Sequence, residues 1–387
     1  MNFDFTEEQL MMKKLARDFA VKEIKPVVEE DEANHRFQRA LVKKMGELGF
    51  FGCVIPEEYG GSNTGFITHA IITEEIGRVS GSLRAPFNMQ AMGTAREIFE
   101  YGNDEQKRKY IPQLVSAKLL GCVCITEPNA GSDVASMRTK AIKKGSHYVI
   151  SGSKNWITYG EVADIGIVYA YTDQEKKHKG ISAFLVDMHS PGISTAPMGE
   201  KMGWSACPTN EIFFEDVKIP AENLMGKEGE GFKYCMGGLD NTRLSVAAGA
   251  VGVAQGLLDE SIKYAGEREQ FGKPIGQFQM VQEVIARMAT DIDAARLLTY
   301  RCAFLKDKGV SSTTETSMAK LFSCDVASRV SDLALQVLGA YGYSREYMVE
   351  RLLRDAKLYQ LLEGSVNIQK LIIAGDVLGF RQIQKKK

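Results

Sequence analysis

The chain has 387 residues, 44% of them apolar, which exceeds the usual size of one core and predicts two or three packed regions of a soluble globular protein. Its 48 basic and 49 acidic residues nearly cancel and no basic stripe runs along one face, which speaks against nucleic acid and anionic membrane as partners. No apolar run reaches the ~18 residues a membrane span needs, and the first residues lack the basic start and apolar core of a signal peptide. Seven scattered cysteines without CxxC spacing fit a reducing compartment, with the cytoplasm as the default. The terminal "KKK" reads as a solvated tail.

From residue 5 the pattern is helical: Thr6 and Gln9 predict a capping box, Met12, Leu15, Phe19 and Ala20 share one face, and Pro26 follows. "RALVKKMGELGFF" and "DEQKRKYIPQLVSA" continue it, so residues 1–120 are expected to form an N-terminal α-helical domain. The runs "SHYVISGSKNWIT", "IGIVYAYTD", "GISAFLVDM" and "NEIFFEDVKIP" are short, β-branched and aromatic, separated by Gly, Ser, Asp and Pro, and predict a small antiparallel β domain over 121–230. Long helical stretches return over 231–387, broken at "REQFGKPIG", "KDKGVSS" and "GAYGYS", the pattern of an antiparallel four-helix bundle. The fold class is α+β, mainly α.

Familiar chemical signatures are absent. There is no phosphate-loop motif and no G-x-S-x-G elbow, and "GEGFKY" at 229–234 lacks the last glycine and the strand of a dinucleotide fingerprint. The five histidines have no metal-ligand spacing, so no metal site is expected, and any redox chemistry would come from an organic cofactor. The unusual stretch is "RDAKLYQLLEGSVNIQKLII" (354–373), where Glu363 sits between Leu361, Leu362 and a Gly-Ser turn. Taken alone, Gly364 stops one helix, Ser365 caps the next, and Glu363 is the last solvated residue of the first.

"CITEPNAGSD" (124–133), "KNWIT" (154–158), "REQFGKPIGQFQ" (268–279), "QVLGAYGY" (336–343) and "YQLLEGS" (359–365) occur in this order over essentially the whole chain, which with them closely resembles the acyl-CoA dehydrogenase family of flavoenzymes. The resemblance implies FAD, an acyl-CoA substrate, a homotetramer and electron-transfer flavoprotein as acceptor. It places Ile125, Thr126, Gly131 and Ser132 at a flavin edge, a phosphate and the substrate, with Trp156, Ile157 and Thr158 walling the ring. Arg268, Gln270, Phe271 and Gln279 resemble residues that reach the FAD pyrophosphate of a neighbouring subunit, and Gln336 and Gly339 its adenosine end. Ala340 replaces a glycine common there.

By the same resemblance Glu363 removes the Cα proton while a hydride leaves Cβ for flavin N5. Leu361 and Leu362 would desolvate the base, the Glu363 N–H would hold the thioester oxygen, and Gly364 would turn the chain beside the substrate. Ser365 and Asn367 fall to flavin phosphate or ribityl groups, Asp240 and Arg243 to the CoA side. In "SGSLRAPFNMQAMGTA" (80–95), Arg84 with Asn88 one turn on resembles the glutaryl-CoA dehydrogenase branch, in which an arginine meets the distal carboxylate. Relatives in that branch take cyclohexanecarboxyl-CoA; Pro86, Phe87, Met89 and Met92 would wall a ring, and Ala91 offers no second base. A short-chain or branched acyl-CoA dehydrogenase, an acyl-CoA oxidase and a non-catalytic helical assembly protein remain as alternatives.

Overall fold

The structure, a computed structural model, describes residues 4–380; the C-terminal lysine run lies outside them. The N-terminal part holds α1 (Glu7–Phe19), α2 (Val28–Ala33), α3 (Arg39–Glu47), α4 (Gly65–Gly77), α5 (Gly81–Asn88), α6 (Arg96–Tyr101) and α7 (Asp104–Val115). The capping box at α1 forms as expected, with Gln9 N donating to Thr6 Oγ1 at 3.2 Å and Thr6 N to Gln9 Oε1 at 3.0 Å. On its inner face Ala16, Phe19 and Ala20 are buried, whereas Leu15 is partly exposed.

The middle part is a sheet of β1 (Gly121–Cys124), β2 (Lys140–Lys144), β3 (His147–Thr158), β4 (Ile165–Tyr171), β5 (Ile181–Asp187), β6 (Ile193–Pro197), β7 (Thr209–Pro220) and β8 (Leu224–Met225). Strand order is β6-β7-β3-β2-β4-β5-β8, with β1 also beside β4. Pairing is antiparallel except β1 with β4 and one parallel contact of β2 with β4, so the expected antiparallel sheet is mixed. A period-2 pattern reports which face a side chain occupies and not the direction of the neighbouring strand.

The C-terminal part begins with α8 (Gly231–Glu267), passes a small hairpin, β9 (Glu269–Gln270) and β10 (Lys273–Pro274), and continues as α9 (Gln279–Asp307), α10 (Thr313–Leu338), α11 (Met348–Tyr359) and α12 (Val366–Val377). The small residues of α8 let it cross α4 backbone to backbone. A Cβ on Gly77 would meet Gly249 O at 2.8 Å, and one on Gly252 or Gly256 would collide with the carbonyls of Glu74 or Arg78. The wholly buried α5 continues through a π-helical turn, Met89–Ala95, into α6. Gln90 anchors that turn: its side chain donates to Leu114 O and Leu119 O at 2.7 Å and accepts from Gly121 N at 3.1 Å. The α5 to α6 run packs along α8, which also carries α11. All seven cysteines are buried and unbridged.

Candidate active site

Glu363 lies in the bend between α11 and α12, half-buried, with a left-handed φ of +55°, and Gly364 follows at +81°. A non-glycine residue in that region costs roughly 1–3 kcal/mol and persists only where its surroundings hold it. Four bonds do so: Arg243 Nε to Glu363 O at 3.0 Å, Lys320 Nζ and Gln369 Nε2 to Gly364 O at 3.0 and 2.8 Å, and Thr242 Oγ1 to Glu363 Oε2 at 2.7 Å. Among the described residues the Glu363 N–H has no hydrogen-bond partner. Helix α11 ends at Tyr359, four residues earlier than the helix-end reading of Glu363 requires; Ser365 does occupy the N-cap position of α12, without a side-chain cap bond.

That early end also corrects the expected role of the two leucines. Leu361 falls in the turn and is 60% exposed, so only Leu362 packs inward. The surroundings of Glu363 are instead polar and cationic: Thr242, Arg243 and the buried Lys320, whose ammonium is pushed below its ordinary range by burial. Asp240, one turn earlier on α8, accepts at Oδ2 from Lys306 Nζ at 3.0 Å, and its buried Oδ1 has no hydrogen-bond partner among the described residues.

Arg84 and Asn88 share one face of α5, as expected from their spacing. Arg84 is 1% exposed, and its guanidinium carbon stands 4.9 Å from the ring centre of Trp204 and 5.0 Å from that of Tyr359. Among the described residues it has no carboxylate partner; its Nε and Nη1, Asn88 Oδ1, Tyr359 Oη and Ser245 Oγ all lack hydrogen bonds of normal geometry. His69 stacks on Phe87 at 4.9 Å, and burial, then Arg84, pushes its imidazole down to about 3, so it is neutral. Of the residues expected to wall a ring, Phe87 faces His69 and Phe51 in the N-terminal core, and Met92 belongs to a buried cluster with Leu244 and Ala247 of α8. Thr242, Ser245 and Gly249 form one stripe along α8, with Glu363 over its first residue and Arg84 and Tyr359 over its last. Seven residues of helix separate those ends by about 10 Å.

The segment 80–95 supplies no second carboxylate, but Glu97, two residues beyond, does. It is 2% exposed, accepts from Tyr169 Oη, and lies where a Cβ on Gly238 would be 2.7 Å from its Oε2. Extending the helical wheel past 95 would have found it, since 97 falls on the face of the buried Gln90 and Thr94. Burial, then the charges of Glu100 and Glu363, holds this carboxyl protonated well above the usual range. A carboxyl raised in this way stabilises the fold fully below its unfolded value of about 4.3, and the contribution is lost as pH rises toward the folded value. Glu97→Gln, a mimic of the neutral acid, is therefore expected to gain in melting temperature on the wild type as pH is raised from about 4. Parallel melting curves across that range measure it; a pH-independent difference would mean that Glu97 ionises like a surface carboxyl.

The residues expected near a flavin fall into two groups. In the first, the fully buried Lys154 donates to Ile125 O at 3.0 Å and Glu127 Oε1 at 2.8 Å, and Asn155 N donates to Thr126 O at 2.8 Å, drawing "CITEP" onto "KNWIT". A register shift between Lys154 and Ile157 places Trp156 on a bulge with φ +59°, its indole 56% exposed. Thr158 is half-buried and Gly131 and Ser132 are exposed, whereas the Ile157 side chain points into the sheet core, leaving only its backbone for a ligand. An exposed indole beside a tethered loop, without an internal partner, fits a planar ring. The second group lies on the C-terminal part: Arg268, Gln270 and Phe271 on the hairpin, Gln279 opening α9, and Gln336 and Gly339 ending α10. Arg268 stands over Tyr341 at 5.6 Å, which joins hairpin and helix end into one patch; Phe271 is 94% exposed there. Ser365 and the exposed Asn367 lie beyond Gly364 at the start of α12. Among the described residues no group of three or more His, Cys, Asp or Glu could hold a metal ion, and no helix is long and apolar enough to cross a membrane.

A helical part, a mixed sheet and a second helical part in this order are the architecture of an oxidoreductase class that acts on acyl-CoA thioesters, as comparison with known proteins shows. The acyl-CoA dehydrogenase N-terminal, middle and C-terminal domain families match residues 6–118, 122–217 and 229–378. A glutaryl-CoA dehydrogenase of Desulfococcus multivorans is 48% identical, covering 100% of both chains. A cyclohex-1-ene-1-carbonyl-CoA dehydrogenase of Syntrophus aciditrophicus is 42% identical over 97% of this chain and 91% of its own. The solved structure of a glutaryl-coenzyme A dehydrogenase in complex with glutaryl-CoA matches with a TM-score of 0.95 and 47% identity, over 98% of this chain and 97% of that one. The chain belongs to the acyl-CoA dehydrogenase family. It is an FAD-dependent oxidoreductase acting on CH–CH bonds of acyl-CoA.

Proposed function

We propose that the enzyme dehydrogenates glutaryl-CoA to the 2-enoyl-CoA. The observation that carries this reading is Arg84: a buried guanidinium with no carboxylate partner among the described residues, beside orphaned polar atoms of Asn88, Tyr359 and Ser245, is costly unless a ligand completes it. The spacing along α8 supports a five-carbon diacid. From Cα to the distal carboxylate of glutaryl is about 4 Å along an extended chain, and a contact of about 3 Å at either end brings the span near the roughly 10 Å that separates the Glu363 and Arg84 contacts. Glu363 takes the Cα proton. Its unpartnered N–H receives the thioester oxygen and stabilises the negative charge that develops there. Arg243 holds the Glu363 carbonyl and so fixes the bend, while Asp240, Gly364 and Ser132 border the thioester and CoA side.

When bound, FAD supplies the hydride acceptor, ring N5. Ile125, Thr126, Gly131, Ser132, Trp156, Ile157 through its backbone, Thr158, Ser365 and Asn367 hold the ring side within one subunit. Arg268, Gln270, Phe271, Gln279, Gln336 and Gly339 complete the pyrophosphate and adenosine end of a neighbour's site, in a homotetramer. The exposure of Phe271, Met280 and Tyr343 around that patch supports a covering copy. Electron-transfer flavoprotein serves as acceptor, and the cytoplasm is the compartment in which buried free thiols persist.

A ring substrate such as cyclohexanecarboxyl-CoA is the second reading, favoured by the 42% identical relative and by the second buried acid, Glu97. A panel of glutaryl-, butyryl- and cyclohexanecarboxyl-CoA with an artificial acceptor decides between them. The highest kcat/KM is expected on glutaryl-CoA; cyclohexanecarboxyl-CoA ranking first would transfer the assignment to the ring reading.

A further inference from the structure

The charge of Arg84 is stabilised by aromatic faces drawn from two other parts of the chain. Trp204, in the segment between β6 and β7, is 5% exposed and has a left-handed φ of +53°; its backbone N donates to Asp355 Oδ1 on α11 at 2.9 Å. Its indole lies so close over Gly81 that a Cβ there would collide with Nε1. Tyr359, the last residue of α11, is fully buried and meets the indole edge to face, with centroids 5.2 Å apart at 81°. Arg84 Nε and Tyr359 Oη converge: each lies 3.0 Å from the point a Cβ on Gly249 would occupy. Arg84 stands close enough to lower the Tyr359 hydroxyl against the burial that pushes it up to about 12, yet neither group is satisfied by a bond of good geometry.

We propose that Trp204 and Tyr359 are the specificity-determining residues of the acyl pocket, a ring clamp that takes the place of a counter-ion for Arg84 and keeps its N–H edge available to a substrate carboxylate. The physical argument is one of exclusion. An acidic side chain at the clamp would neutralise Arg84 and occupy its donors, and an aliphatic one would leave a buried charge unsupported. An aromatic face attracts a guanidinium through its quadrupole and uses none of the in-plane N–H groups. Tyr359 adds a hydroxyl that converges on the same point as Arg84 Nε, so the carboxylate would be received by two residues on different helices, both drawn close to α8 where Gly249 carries no side chain. The clamp also makes acyl selectivity depend on the middle domain, through Trp204, a residue distant in sequence from the helices that line the cleft.

This inference rests on the reading of Arg84 as the carboxylate contact, and its test separates the two. The measurement is the ratio of kcat/KM for glutaryl-CoA over butyryl-CoA in wild type, Arg84→Ala, Tyr359→Phe, Trp204→Leu and Trp204→Phe. Tyr359→Phe keeps the ring and removes only the hydroxyl, and is expected to lower the ratio about tenfold, mainly through KM for glutaryl-CoA. Trp204→Leu should lower it by at least as much, and Trp204→Phe, which restores a face, should recover most of the loss. If Arg84→Ala lowers the ratio but none of the clamp variants does, Arg84 reads the carboxylate and the clamp is overturned. If Arg84→Ala leaves the ratio unchanged, both are overturned. Should Trp204→Leu fail to fold, Tyr359→Leu, which removes the other face, takes its place and is expected to lower the ratio further than Tyr359→Phe; an unchanged ratio in both Tyr359 variants would leave the ring pair a packing feature.

Discussion

Glu363→Gln is expected to keep its fold and its bound yellow flavin and to lose about 10²–10⁴-fold in turnover, the usual contribution of a general base. The substitution is nearly isosteric, and the bonds that hold the bend go to the backbone carbonyls of Glu363 and Gly364, so the left-handed geometry at +55° should survive. Thr242 Oγ1, which donates to Glu363 Oε2, can donate equally to the amide oxygen. What is lost is the capacity to accept the Cα proton. Rapid mixing with glutaryl-CoA, following the bleaching of flavin absorbance, reads the chemical step without the acceptor. Near-normal reduction by the variant would remove Glu363 from that role and direct attention to another group over the same stripe of α8.

Arg84→Ala is expected to lower the preference for glutaryl- over butyryl-CoA by roughly 30-fold to several thousand-fold. That corresponds to the ~2–5 kcal/mol lost when one partner of a buried charge pair is removed and the other is left in a dry pocket. The effect should be large because, among the described residues, no carboxylate forms an ion pair with Arg84, and its burial is almost complete. Truncation also leaves a space between Trp204 and Tyr359, so a general loss of efficiency with all substrates is expected on top of the selective one. Measuring kcat/KM on glutaryl-, butyryl- and cyclohexanecarboxyl-CoA separates the two components, because the ring substrate has no distal charge. Equal losses on all three would leave Arg84 a structural residue.

Much of this site could be read along the chain. The helical, sheet and helical zones follow from period and turn chemistry, the capping box at Thr6 and Gln9 forms, and the i, i+4 spacing of Arg84 and Asn88 does put both on one face of a helix. Glu363 beside Gly364 was recognisable as a turn because glycine tolerates left-handed backbone; that Glu363 itself adopts it was not, since only the bonds from α8, α10 and α12 hold it there. The leucine pair misled for a related reason. Hydrophobicity states what a side chain prefers and not where a turn aims it, and the early end of α11 aims Leu361 outward.

By itself, the sequence determined the kinds of element, the order of the motifs, and the presence of one acid beside a Gly-Ser turn and one arginine in an otherwise apolar helical stretch. The tertiary structure alone decided that Glu97 is buried with its carboxyl pushed above the usual range, that Arg84 lies between aromatic faces, and that β1 joins the sheet in parallel. The physical reason is the same in each case. Local pattern is set by neighbours a few residues away, whereas the desolvation and pairing of a charge depend on groups such as Tyr169, Trp204 and Tyr359, which are far away in sequence and become neighbours only when the chain folds.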